Sequence, residues 1–198
     1  MPLWRAMMRP DFRQGIIAAH RRFGKDELGL QLTCIKAMQR VGSYWYCLPQ
    51  YAQARKTIWE MVNWRTKRAR IDDAFPPEIV TKRDNQTMML WLASGSTVQL
   101  IGSDQVDNLV GGGQLGIVLS EAALSRPEAM QYFRPILEES GGWELQISTS
   151  RGKTTSTTPT YPLKTTRTAG TQVRSPVSSR PETARYSTPS NSCASARS

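Results

Sequence analysis

The chain has 198 residues, with 26 basic against 16 acidic side chains and a net charge of +10, so polyanions are its natural partners. Three cysteines without a CxxC pair and a single histidine exclude a metal-ligand framework and point to a reduced, intracellular protein. No apolar run reaches the roughly 18 residues of a membrane span, and the N-terminus lacks the apolar core of a signal peptide, so a soluble cytoplasmic protein without membrane contact is expected.

Residues 1–14 place Leu3, Trp4, Met7, Met8 and Phe12 at helical spacing, interrupted by Pro10, and read as a helix capping the domain. Residues 15–19 are short, apolar and glycine-bounded, as a buried strand would be. They empty into His20, Arg21, Arg22, Phe23, Gly24, Lys25 and Asp26, and then into a helical pattern over about 27–40 with Leu28, Leu30, Leu32, Ile35 and Met38 apolar and Gly42 closing it. A strand that runs through a basic Gly-Lys loop into a helix is how a P-loop offers backbone N–H groups and a lysine to nucleotide phosphates. Two letters depart from the standard G-x-x-x-x-G-K-[ST] pattern: Ala19 stands at the first glycine and Asp26 at the hydroxyl residue.

Residues 43–47 (SYWYC) are strand-like and Pro49 stops them. From Tyr51 the residues Ala52, Ala54, Ile58, Met61 and Val62 form a helical stripe to about Trp64, followed by a basic cluster of Arg65, Lys67, Arg68 and Arg70. Residues 78–81, 87–92 and 97–102 read as three strands separated by turn residues, an antiparallel excursion on a parallel sheet. A glycine-rich loop over 106–113 precedes a second buried strand at 115–119, with Ser120 and Glu121 at its carboxyl end. Pro127 opens a helix that turns Met130, Phe133, Ile136 and Leu137 inward, Gly141 and Gly142 close it, and a strand at 143–147 ends in Ser148 and Thr149. This is the element order of an α/β, mostly parallel sheet with helices on both faces, in which ligands sit beyond the carboxyl ends of the strands.

Three strand ends carry polar groups of different kinds: the Gly24-Lys25 loop, Glu121, and the Ser148-Thr149 pair. Nucleoside triphosphate hydrolysis needs a phosphate cradle, a carboxylate for water and a sensor of the γ-phosphate. One candidate for each is present.

Here the residues resemble the large terminase subunit of tailed bacteriophages, the ATPase motor and nuclease that packages DNA into capsids. HRRFGKD is similar to that family's divergent Walker A motif, LGIVLSEAAL to its Walker B strand, and LQISTSRGK to its coupling motif, with Ser150 where proline is more usual. PLWR and YAQARKTIWE extend the resemblance over nearly all of residues 2–153. It implies an ASCE-type P-loop NTPase binding ATP and Mg2+ through residues 20–26. Lys25 would contact the β- and γ-phosphates, Arg21 would sense or stabilise them, Glu121 would activate water, and Ser148 and Thr149 would couple hydrolysis to movement. Ser120 stands where many P-loop enzymes keep a magnesium-shell aspartate, so Asp26 is expected to supply the oxygen that position 120 lacks. Arg126 and Arg134 are candidates for an arginine reaching a neighbour's nucleotide.

The implied function is the ATPase part of a phage or prophage packaging motor. It would translocate double-stranded DNA as a homo-oligomeric ring, with the portal protein and the small terminase subunit as partners, in the host cytoplasm at the procapsid portal. A non-catalytic remnant that only binds nucleotide or DNA and a helicase-like ATPase are the alternatives, the latter without further helicase motifs. Domain 1–153 is expected to hold the ATPase. From Thr154 to Ser198, 20 of 45 residues are Ser or Thr and a single acid, Glu182, faces six basic residues, a composition expected to be disordered. Family members often continue with Asn-His-Phe-Tyr; codons such as AAC CAC TTC TAC read after loss of one nucleotide give Thr-Thr-Ser-Thr, the residues at 154–157, so the tail is expected to be out-of-frame sequence and the nuclease domain absent. The start is likewise expected to lie at or just after the family's adenine-contacting glutamine.

Overall fold

The computed structural model describes residues 2–108, 113–125 and 127–149. The expected disordered tail, the junction at Ser150–Lys153 and Arg126 lie outside them.

Seven strands form one sheet. In chain order the elements are α1 (Pro2–Met7), β1 (Gln14–Ala19), α2 (Lys25–Gln39), β2 (Ser43–Leu48), α3 (Tyr51–Ala54) continued by a π-helical turn (Arg55–Trp59), α4 (Arg70–Ala74), β3 (Val80–Asp84), β4 (Met89–Leu92), β5 (Thr97–Gly102), β6 (Gln114–Ser120), α5 (Pro127–Ser140) and β7 (Trp143–Thr149). The spatial order is β1-β7-β6-β2-β5-β4-β3. The first five of these run parallel, and β4 and β3 are added antiparallel. The strand that follows α5 therefore lies between the strand of the Gly-Lys loop and the strand of Glu121.

All seven residues of β6 are buried, as a central parallel strand with helices on both faces requires. One face of the sheet packs Tyr44, Tyr46, Val118, Leu145 and Ile147 against Leu30, Ala37 and Ile58 of the helices between β1 and β3. The other packs Trp45, Cys47, Ile117 and Leu119 under Ala129, Phe133 and Leu137, which lie four residues apart on one face of α5. Gly29 brings α2 close to the sheet: a Cβ there would lie 2.8 Å from Ile147 Cδ1. Cys34 and Cys47 are free and buried. No helix among the described residues is long and apolar enough to cross a membrane.

Several expected elements differ. The first strand is at the sheet's edge rather than in its interior, and Ile16 is 71% exposed. On α2 the expected Leu30 and Leu32 are buried, together with Thr33, Cys34 and Ala37, but Met38 faces water. The helix from Tyr51 ends at Trp59 rather than near Trp64, because the widened turn closes with Glu60 N–H on Arg55 O. Met61, Val62 and Trp64 are then carried into solvent. Strand β3 starts at Val80, two residues later than the pattern suggests, since Pro77–Ile79 form a 3-10 turn. Only β3 and β4 are the antiparallel addition; β5 pairs in parallel with β2 and belongs to the main sheet.

Candidate nucleotide site

The loop of residues 20–24 leaves β1 at its carboxyl end and enters α2 through Gly24, whose φ of 81° suits a residue without Cβ. No side chain caps α2, and Leu28 N–H is the first to bond back, to Gly24 O. The N–H groups of the first turn are thus open to an anionic ligand, as at other helix N-termini. Arg21, Arg22 and Phe23 are exposed around it. The His20 ring meets Phe23 edge-on at 5.5 Å.

Lys25 is the first residue of α2 and is only 7% exposed. Its Nζ lies 3.0 Å from Glu121 Oε1, the same oxygen that accepts a 2.6 Å hydrogen bond from Thr149 Oγ1. Burial works against ionisation of Glu121, but the Thr149 hydroxyl and the Lys25 ammonium outweigh it and hold the carboxyl below its ordinary range. Glu121 has φ 52°, an uncommon conformation for a residue with a side chain. Had β6 continued, Glu121 would point to the face of Leu119, under α5. The turn brings it back to the α2 side, where Lys25 and Thr149 are.

A second cluster adjoins the first. Ser120 Oγ donates to Asp26 Oδ1 at 2.5 Å, and the fully buried Tyr46 hydroxyl reaches the same oxygen at 3.2 Å. Asp26 Oδ2 takes no part in these bonds. Carboxylate and hydroxyl oxygens side by side are hard donors that suit magnesium. Among the described residues no group of three or more His, Cys, Asp or Glu could hold an ion alone, so a magnesium ion here would depend on phosphate oxygens and water as well, which is its habit.

Of the residues expected from the sequence, the structure brings together Lys25, Asp26, Ser120, Glu121 and Thr149. Ser148 pairs with Ala18 in the β1–β7 register and, by strand alternation, projects from the opposite face to Thr149. Arg134 lies on α5 and is partly buried. Sequence reading missed Tyr46, and it missed Arg70, whose guanidinium binds Glu27 Oε1 at 2.7 Å and Thr57 O at 2.8 Å. The alternation of SYWYC does put Tyr44 and Tyr46 on one face. Nothing in it says which face lies under the Gly-Lys helix.

Neither a family model nor a curated protein matches the sequence. Among solved structures, the large terminase ATPase domain of Thermus phage P74-26 is similar, with a TM-score of 0.58 and 21% identity over 76% of this chain and 65% of that one. The fold is that of large terminase ATPase domains. The large terminase of a second, thermophilic bacteriophage is also similar, with a TM-score of 0.56 and 13% identity over 73% of this chain and 36% of that one. Its complex with ADP gives a TM-score of 0.55 and 14% identity over the same shares. The chain thus spans under two thirds of the Thermus phage domain and about a third of the thermophilic phage's large terminase.

Proposed function

We propose that this chain is a magnesium-dependent ATPase of the packaging-motor kind, the ATPase part of a terminase large subunit. The observation that carries the reading is the crossing of α2 and β6, where Lys25 and Thr149 share one oxygen of Glu121 beside uncapped helix amides. The triphosphate would lie over residues 20–26, with its β- and γ-oxygens on the α2 amides and Lys25, and Arg21 at the γ-phosphate. The γ-phosphate competes with Glu121 for the Lys25 ammonium. As Lys25 turns to the phosphate, Glu121 is released to take a proton from the water that attacks phosphorus, and the bond to ADP breaks. Thr149 keeps its hold on Glu121 and so ties that event to β7. Asp26 and Ser120 would hold magnesium, which when bound neutralises charge on the phosphate oxygens.

The net charge of +10 and the terminase fold support double-stranded DNA as the polymer moved. A ring of copies, docked on the portal and served by the small terminase subunit in the host cytoplasm, completes this reading.

The test is magnesium-dependent ATP hydrolysis by the full chain, with blunt duplex or single strands, beside Lys25→Ala and Glu121→Gln. Glu121→Gln is expected to lose ~10²–10⁴-fold in turnover while still binding nucleotide, as removal of a general base does. Lys25→Ala should lose both. Stimulation by duplex supports the motor, and stimulation by single strands alone would favour a helicase-like ATPase. Nucleotide bound without turnover by the unmutated chain would make it a non-catalytic binder.

A further inference from the structure

Residues 61–70 form a hydrogen-bonded excursion that leads from the π-helical turn into α4. Val62 and Ala69 pair as an isolated antiparallel bridge. Arg70 N–H bonds Met61 O at 2.9 Å, and Asn63 N–H bonds Arg68 O at 2.8 Å. At the base, Asp73 Oδ2 accepts from Asn63 Nδ2 and from Thr66 Oγ1, each at 2.8 Å. The tip is therefore held in shape, yet Trp64 is 72% exposed and Val62 61%. The Arg65 guanidinium lies over the Trp64 ring at 5.1 Å, and Lys67 and Arg68 are exposed beside it. The segment contains four basic residues and no acid. The nearby carboxylates are engaged: Asp73 in holding the hairpin, Asp72 with Arg83 at 2.6 Å, and Glu60, next to Met61, with Arg55 at 3.7 Å.

We propose that this hairpin is a contact surface for double-stranded DNA, with Arg65, Lys67 and Arg68 on backbone phosphates and Trp64 packed on the sugar edge beside them. The proposal rests on the DNA-motor reading and names the surface that reading lacks. Tryptophan and arginine also occur at protein interfaces, but there lysine is depleted and charge is excluded from the centre, whereas here three cations surround one ring with no acid in the segment. They match a polyanion with an apolar sugar surface. The hairpin is also tied to the nucleotide site. Arg70, at its end, binds Glu27, two residues beyond Lys25 on the first turn of α2, so the base of the hairpin touches the helix that carries Lys25.

The test is binding of a fluorescent blunt duplex to the full chain by anisotropy over a salt series. The proteins compared are the unmutated chain, Trp64→Ala, the triple Arg65→Ala/Lys67→Ala/Arg68→Ala, and a charge-matched triple Arg174→Ala/Arg180→Ala/Arg185→Ala. The hairpin triple should bind about tenfold or more weakly near 0.1 M salt, with a log–log salt slope shallower by roughly 2–3, since each phosphate contact contributes about 0.9. Trp64→Ala should weaken binding severalfold at unchanged slope. Unchanged affinity for fluorescent ADP would show that the hairpin variants fold. The proposal is overturned if the unmutated chain binds duplex and the hairpin triple matches it, or if both triples lose equally. It is overturned too if the hairpin variants change only the oligomeric mass, which would mark a protein interface. No duplex binding by the unmutated chain would sink the DNA reading itself, and the hydrolysis test of Lys25 and Glu121 would stand apart from that result.

Discussion

Two neighbouring residues of α2 meet two neighbouring residues at the end of β6, and the two contacts differ in kind. Lys25 faces Glu121 as a nearly buried ion pair, and the hydroxyl of Thr149 completes it. Asp26 faces Ser120 as a carboxylate gathering hydroxyl protons, with Tyr46 as the second donor and no cation among these contacts. Adjacent residues on a helix differ by about 100° in direction, and adjacent residues on a strand point to opposite faces. One crossing serves both pairs only because Glu121 leaves the strand with positive φ. The first pair is balanced in charge, and under the proposed function a phosphate would compete for its lysine. The second joins a carboxylate to two hydroxyl donors, and under the proposed function it is the pair that would meet a cation.

Breaking the second pair separates these roles most sharply. Asp26→Asn keeps the shape and the hydrogen-bonding oxygen but removes the charge. The magnesium needed for half-maximal turnover should rise by about tenfold or more, in line with the 10–100-fold that even partners of metal ligands contribute. Electron paramagnetic resonance of Mn2+ bound with ADP should show the same loss of affinity without relying on turnover. Nucleotide affinity in the absence of divalent ions should stay, because Lys25 and the helix amides are untouched. The exchange Asp26→Ser with Ser120→Asp returns the carboxylate to the strand end and should recover much of the loss. An unchanged magnesium requirement in Asp26→Asn would remove the carboxylate from the metal's surroundings.

Breaking the first pair at its third member gives a smaller effect. Thr149→Val deletes a hydrogen bond to a charged carboxylate, a contact of about 1.5–3 kcal/mol, and turnover should fall roughly tenfold. Thr149→Ser should restore it. The pH dependence distinguishes positioning from packing. The Thr149 bond lowers the Glu121 pKa, so its loss moves the acid limb of turnover to higher pH. The same depressed carboxyl adds stability that is fully present above its ordinary value of 4.5 and is lost as pH falls through the folded-state value. Melting temperature followed below pH 4.5 should therefore decline more steeply for the unmutated chain than for Thr149→Val.

The parallel core and the strand–loop–helix turn at Gly24-Lys25 were legible because each rests on local grammar. Apolar runs at 115–119 and 143–147 end in polar residues, and Gly24-Lys25 stands between a strand and a helix. What failed depends on neighbours. The apolar run at 15–19 reads the same whether one strand or two flank it, and only the sheet order leaves Ile16 in water. Met61, Val62 and Trp64 continue a helical stripe on paper, but the widened turn at Arg55–Trp59 shifts the register, and the chain turns into the hairpin. The exposed tryptophan was therefore read as the end of a core helix. Within the site, Lys25, Glu121 and Thr149 could be named one by one. Glu121's turn out of the strand and the approach of Tyr46 beneath α2 are tertiary facts with no local signature.

Tyr46 is the smallest lever on the contrast between the two pairs. Burial raises its hydroxyl pKa far above the usual value, so the group is neutral and acts as a donor. Its bond holds the Asp26 carboxylate in place but would draw electron density from Oδ1 that a metal there would use, and the two effects would oppose each other. The bonds are long, at 3.2 Å to Oδ1 and 3.4 Å to the backbone oxygen of Asp26, and Ser120 remains as a second donor in Tyr46→Phe. Stability should therefore fall by about 1 kcal/mol, a drop in melting temperature of roughly 2–4 °C for a chain of this size. The magnesium requirement should move by no more than about twofold, a small fraction of what a ligand carboxylate contributes. A rise as large as that of Asp26→Asn would make the tyrosine, rather than Ser120, the group that aims the carboxylate. The metal side of the crossing would then be organised from β2 and not from β6.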